Sequence, residues 1–213
     1  MQGLTDDDKR AKRSELESSV RELLQSGDSR AACARAVEGF APEIYGFMLT
    51  ISRGDDLAQE AFSRFCEDVV RGLSQFRWNS SLRTWLYTLA RHACHRARRN
   101  VVRGRLQLND PSFAQLEQQI RSQTAPFLRT EAKDAIRDLR DQLTDDEREL
   151  LVLRVDRDLS WLEIAQICID GDVNDSRLIA REAAACRKRF ERAKQRLREL
   201  AVSRGLVPNK SSQ

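Results

Sequence analysis

Asn79-Ser80-Ser81-Leu82-Arg83-Thr84-Trp85-Leu86-Tyr87-Thr88-Leu89-Ala90-Arg91-His92-Ala93-Cys94-His95-Arg96-Ala97-Arg98-Arg99 opens a stretch that runs on through Arg103 and Arg105 to Asn109. It holds no aspartate or glutamate, in a chain whose residues are 33% charged. Within it Leu82, Leu86, Leu89, Ala93 and Ala97 recur at three- and four-residue spacing, which at about 100° per residue draws one apolar stripe along a helix. Thr84, Tyr87, Thr88, Arg91, His95 and Arg98 fall on the opposite side. The spacing predicts a helix whose outer face is basic and hydroxylated and carries an aromatic ring. Such a face suits a polyanion, with a ring available for stacking.

The rest of the chain is organised around that helix. Its 213 residues allow one large or two small domains, and 40% apolar with 6% aromatic content suits two small helical cores. The net charge of +4 is small but unevenly spread, with basic runs at 77–105 and 181–198, so local patches point to an anionic partner. Cys33, Cys66, Cys94, Cys168 and Cys186 are odd in number, widely spaced and mostly set in apolar helical patterns. They read as buried thiols of a reducing compartment, not a disulfide framework. Met1–Arg10 has no hydrophobic signal core, and no apolar run approaches spanning length. A cytoplasmic location without membrane insertion is expected.

Alternating β-branched runs are absent and most segments show helical periodicity, so the fold class is all-α. The pattern predicts helices over 14–26, ended by Gly27, over 29–40, and over 41–51, with Pro42 in a tolerated first turn. A fourth, over 56–70, turns Leu57, Ala61, Phe62, Phe65 and Val69 inward and Asp56, Gln59, Glu60, Arg64 and Glu67 outward. It is acidic where the next helix is basic. Between them lies the polar loop Phe76-Arg77-Trp78-Asn79-Ser80-Ser81. Its two aromatics either pin the loop to the core, the simpler role for Phe76, or, for Trp78, remain available to a ligand. Trp85 sits at the edge of the apolar stripe and reads mainly as core. His92, Cys94 and His95 lack the ligand count of a structural zinc site.

These residues carry a family resemblance. Asp56-Leu57-Ala58-Gln59-Glu60-Ala61-Phe62, then Phe76-Arg77, then Ser80 through Arg91 resembles region 2 of bacterial sigma factors of the extracytoplasmic-function type. The resemblance implies that the acidic helix, through Asp56, Gln59, Glu60 and Phe62, docks on the β′ clamp helices of core RNA polymerase, with the β subunit a further partner. It implies that the loop captures a base flipped from the promoter −10 element. Arg77, Trp78, Asn79, Ser80, Ser81, Tyr87, Arg91, His95 and Arg98 are then the −10 DNA-binding candidates. His92 stands where the family commonly has asparagine.

After Asn109, Asp110-Pro111-Ser112 breaks the pattern, and the Gln-rich residues 106–129 read as a linker with some helix near Phe113–Ile120. Ala132, Ile136, Leu139 and Leu143 then open a second helical domain. Thr144-Asp145-Asp146-Glu147 and Ser160-Trp161-Leu162-Glu163 are capping boxes, each starting a helix. A long helix over 176–201 follows, with Ile179, Ala183, Cys186, Phe190, Ala193, Leu197 and Leu200 as an inward seam. A capped helix, a turn and a basic helix make a helix-turn-helix candidate, whose alternative is a solvated basic face on a bundle. This stretch resembles region 4 of the same family, the reader of the −35 element. Arg181, Ala184, Ala185, Arg187, Lys188 and Arg192 are the −35 DNA-binding candidates, with Arg187 and Lys188 as base readers and Arg181 and Arg192 on phosphates. The turn at 169–174 is longer than the usual three or four residues.

The expected organisation is an N-terminal extension at 1–27, a region 2 domain at 28–105, the linker at 106–129, a region 4 domain at 130–204 and a disordered tail at 205–213. The resemblance implies a sigma factor that directs promoter-specific transcription, with promoter DNA and core polymerase as partners and an anti-sigma factor as a possible one. No carboxylate or His/Cys cluster is placed for chemistry, so neither a cofactor, a metal nor an enzyme activity is expected. The alternative is a stand-alone helix-turn-helix regulator that binds duplex operators.

Overall fold

A capping box that the apolar spacing does not reveal starts the chain's first helix. In the computed structural model, which describes residues 5–52, 54–100, 138–169 and 174–207, Thr5 Oγ1 accepts from the Asp8 N–H at 3.2 Å while Asp8 Oδ2 accepts from the Thr5 N–H at 3.1 Å. Helix α1 therefore spans Asp6–Gln25 and begins well before the predicted residue 14. The Thr5 hydroxyl and then its N–H, both donating to Asp8, hold that carboxyl below its ordinary pKa. Gly27, at φ 83°, closes the helix, with the Asp28 N–H on the Leu23 carbonyl at 3.0 Å.

Asp28 Oδ1 then accepts from the Ala31 N–H at 2.9 Å at the start of α2 (Ser29–Ser52). Two helices meeting at Pro42 are expected here, and the structure instead has one continuous helix. Pro42 and Glu38, whose carbonyl loses its partner, are both exposed, so water reaches the gap. Phe40, Ala41, Ile44, Tyr45, Phe47 and Met48 are buried on either side, and their packing offsets the ~3 kcal/mol an interior proline costs. Helix α3 (Asp55–Gly72) carries Asp55 and Asp56 in its first turn, at the positive end of its dipole. A 3-10 turn, Leu73–Gln75, leads to the loop and to α4 (Leu82–Asn100).

The chain divides into two units, 1–124 and 125–213. In the first, α2 packs against α1, α3 and α4, and α3 packs against α4. Phe62 stacks on Phe65 at 5.7 Å and meets Tyr45 edge-on at 5.3 Å. Cys33, Cys66, Cys94 and Cys186 are buried and Cys168 is half-buried, all as free thiols.

In the second unit both predicted capping boxes are present. They start α5 (Asp145–Leu151), which runs into a π-helical turn at Val152–Asp156, and α6 (Trp161–Cys168). Asp158, at φ 51°, turns the chain between them. Arg148, on the buried face of α5, donates to the carbonyls of Arg140, Asp141 and Leu143 and so ties down the turn that precedes the helix. Asp175 caps α7 (Ser176–Ser203) by accepting from the N–H groups of Arg177 and Leu178. Leu143, Leu151, Phe190 and Ala193 form a core cluster with Trp161 and Leu197 against it.

Every regular element among the described residues is helical, and none of these helices is long and apolar enough to cross a membrane. The expected linker at 106–129, its helix near Phe113–Ile120, the residues Ala132 and Ile136, most of the long turn (170–173) and the tail from 208 lie outside the described residues.

Candidate nucleic-acid interface

Ser81 fixes where α4 starts. Its Oγ accepts from the Thr84 N–H at 3.0 Å and its carbonyl from the Trp85 N–H at 3.1 Å. The Leu82 N–H, one more of the helix's unpaired donors, reaches Glu17 Oε1 on α1 at 2.9 Å, which puts a carboxylate at the positive end of the α4 dipole. Just before it, Phe76 stacks on Trp85 at 4.9 Å and lies tilted against Trp78 at 4.9 Å. Phe76 thus does pin the loop. Trp85 also lies over Gly72, where a Cβ would stand 3.1 Å from the indole.

Trp78 is held differently. It is half-buried, with φ at 60°, a left-handed conformation that a bulky residue adopts only under tertiary constraint. Phe76 bounds it on one side, and the Arg21 guanidinium of α1 stands over its ring at 4.2 Å. Arg77 and Asn79 beside it are exposed, and Ser80 and Ser81 are half-exposed.

The face of α4 differs from expectation in its rotation. Leu82, Leu86, Ala90, Ala93 and Ala97 are buried, but so are Arg83, Tyr87 and Cys94, while Leu89 is only half-buried. The buried arc is turned by about half a residue step because α4 is enclosed by α2 as well as α3. Tyr87, expected on the basic face, is a core residue with no exposed surface. Its ring meets Phe47 edge-on at 5.1 Å and its hydroxyl donates to Glu43 Oε1 at 2.7 Å. The same carboxylate accepts from Arg83 Nε at 2.7 Å and stands 3.6 Å from Arg13. Glu43, which no sequence pattern singles out, is the polar centre of this unit. Thr84 is buried too.

Arg91, His95 and Arg98 are partly exposed along α4, and Arg99 is exposed. Arg98 donates to the Ile51 carbonyl and Arg96 pairs with Asp68, so the face is positioned by α2 and α3. On α3, Asp56 is exposed and Gln59 and Glu60 partly so, with Glu60 accepting from Arg64 at 2.7 Å. Phe62, expected among the docking residues, has no exposed surface because its ring fills the centre of the unit. It supports the acidic face from below.

In the second unit Arg181, Ala184, Arg187, Lys188 and Arg192 are exposed on α7 and Ala185 is half-exposed. The opposite seam of Ala183, Cys186, Phe190 and Ala193 is buried. Arg187 sits on the flank nearest α6, 6.0 Å from the Trp161 ring, and Arg192 lines a shallow cleft with Glu147 and Glu191. Among the described residues, no group of three or more His, Cys, Asp and Glu is disposed to hold a metal ion.

Comparison with known proteins places these surfaces in a family context. Residues 36–104 match Sigma-70 region 2, a span that takes in α3, the aromatic loop and α4 and leaves α1 outside. The chain is 36% identical over 114 residues to RNA polymerase sigma factor YlaC of Bacillus subtilis, covering 53% of this chain and 62% of that protein. It is 30% identical over 178 residues to RNA polymerase sigma-H factor of Pseudomonas aeruginosa, covering 76% of this chain and 88% of that protein. The second match is too long to be contained in the first unit.

Proposed function

The chain belongs to the RNA polymerase sigma factor family, and from that premise we propose that it is a sigma factor of the extracytoplasmic-function type that directs core RNA polymerase to its promoters. The single observation that carries this is the pairing, within the matched segment, of an acidic exposed turn on α3 with an aromatic loop and a basic face on α4. The two surfaces divide the labour. Asp56, Gln59 and Glu60 present charge and hydrogen-bonding groups to the β′ clamp helices, and the β subunit offers further contacts. The Arg77–Ser81 loop and the Arg91, His95, Arg98 edge receive the unstacked strand of the −10 element.

Unstacking a base costs a few kcal/mol. An aromatic shelf returns about 1–3 kcal/mol per stacked base, and arginines beside it bring the phosphates within reach. The opening of the duplex is thus driven by trapping what thermal fluctuation exposes, and bond-forming chemistry stays with the polymerase. Helices α6 and α7 serve as a helix-turn-helix that reads the −35 element. The capped start of α6, its packing on α7 and the exposed basic half of α7 support this role. These partners imply a cytoplasmic protein, and an anti-sigma factor would act by covering either surface. A stand-alone operator-binding regulator would need neither the acidic face of α3 nor the loop.

The test is co-purification with core RNA polymerase followed by run-off transcription from a genomic fragment library. A sigma factor yields discrete polymerase-dependent transcripts. Duplex binding with no polymerase association would establish the regulator instead.

A further inference from the structure

Helix α1 lies outside the matched segment, yet two of its residues, one helical turn apart, reach the base-capture loop and the start of α4 that follows it. Glu17 accepts the Leu82 N–H at 2.9 Å, and Arg21 stands over the Trp78 ring at 4.2 Å. The backbone that presents them is fixed. Val20 has no exposed surface, and Leu16 packs so closely on Gly39 of α2 that a Cβ there would collide with its methyls. Arg21 itself is exposed, so its side chain has room to change rotamer above this packed backbone. Trp78 is held in a left-handed conformation with Phe76 beside it and that guanidinium over it.

We propose that Arg21 is a positioning and DNA-contacting residue of the single-strand site, deepening the sigma-factor function on which it rests. In the free protein the guanidinium occupies the Trp78 face and holds the indole in place on its left-handed backbone, ready for a ligand. A captured base displaces it, since stacking a base on an aromatic ring is worth more than an exposed cation over that ring. The guanidinium then moves to that nucleotide's phosphate, where its planar fork matches the oxygens. The ligand is one unstacked nucleotide of single-stranded DNA, read by its aromatic face and its charge.

The experiment uses holoenzyme reconstituted from the full chain and core polymerase, with single-stranded oligonucleotides enriched from a random pool by the wild-type holoenzyme. Affinity is measured across a salt series for wild type, Arg21→Ala, Arg21→Gln, Arg21→Lys and Trp78→Ala. The expected result for Arg21→Ala and Arg21→Gln is a three- to tenfold weaker affinity and a salt slope lower by about 0.7, the value of one phosphate contact on a single strand. Arg21→Lys restores the slope. Affinity and slope unchanged in Arg21→Ala, with Trp78→Ala weakened, overturn the role of Arg21 and leave base capture standing. Tighter binding by Arg21→Ala also overturns it, because the arginine would then shield the ring. Failure of both Arg21→Ala and Trp78→Ala to weaken binding overturns base capture at this loop as well.

Discussion

Replacing Glu43 by glutamine keeps the shape of the side chain and an oxygen for the Tyr87 hydroxyl, and removes only the charge. That charge faces Arg83, whose side chain is 8% exposed, across a carboxylate that is 21% exposed. Breaking a buried pair by neutralising one partner costs about 3–5 kcal/mol, because the other charge stays buried and uncompensated. Water reaches Glu43, so a cost at or just below the bottom of that range, about 2–3 kcal/mol, applies. For a unit of this size each kcal/mol moves the melting midpoint by about 4–8 °C, which gives a fall of roughly 10–20 °C. Thermal unfolding of the full chain in a Trp161→Phe background isolates this unit, since Trp78 and Trp85 are then the remaining tryptophans. The double variant Glu43→Gln/Arg83→Met, which replaces the stranded cation by an apolar chain, should recover most of the loss. A midpoint within about 2 °C of wild type, or a double variant no better than the single one, refutes the placement of Glu43 at the polar centre.

Four further outcomes are expected. Glu60→Lys breaks the pair with Arg64, costs about 0.5–1 kcal/mol in stability and sharply reduces capture of core polymerase in a pull-down; undiminished capture removes α3 from the interface. Trp78→Ala and Arg91→Ala weaken permanganate footprints over the melted start site while polymerase association holds, and intact footprints in both would leave this face an ordinary solvated surface. On α7, Arg187→Ala and Lys188→Ala each cost about 1–3 kcal/mol at one base position in duplex selection, whereas Arg181→Ala and Arg192→Ala weaken all sequences alike; an unchanged selected motif in the first two means the helix is seated in another register. Because the folded pKa of Asp8 lies below its ordinary value, its contribution to the start of α1 is complete above that ordinary value and is lost as pH falls through the lowered one. The protection of the α1 amides against hydrogen exchange, relative to their intrinsic rates, should therefore fall below about pH 4 in the wild type and not in Asp8→Asn, where an equal fall in both would count against the cap.

The helical periods of α3, α4 and α7 and the two capping boxes of the second unit were legible because each depends on residues within a turn or two of one another. What escaped depends on contacts distant in sequence. Tyr87 reads as a polar-faced residue until Glu43 supplies its hydroxyl with a partner. The burial of Arg83 has the same source. Pro42 reads as a helix start, and only the packing on both sides of α2 carries the helix through it. Phe62 belonged by period to the inside and by resemblance to the docking motif, and its burial decides for the first. The Thr5 cap was hidden in an acidic run that resembles a solvated tail. For the −35 candidates, periodicity alone separated the buried seam of α7 from its exposed face, since no other element encloses that face among the described residues.

The bond between Glu17 and Leu82 spans 65 residues, and on a ribosome that separation is time. At about 5–20 residues per second, α1 is made roughly 3–13 seconds before the helix whose start it covers. Helices α1 and α2 are complete first, and until α4 arrives Phe47 of α2 lacks the Tyr87 ring it meets edge-on. Codon changes that slow elongation between residues 52 and 82 lengthen that bare interval. The expected outcome is a lower soluble yield from the recoded gene than from the original at equal message level, with no contact of the finished molecule altered.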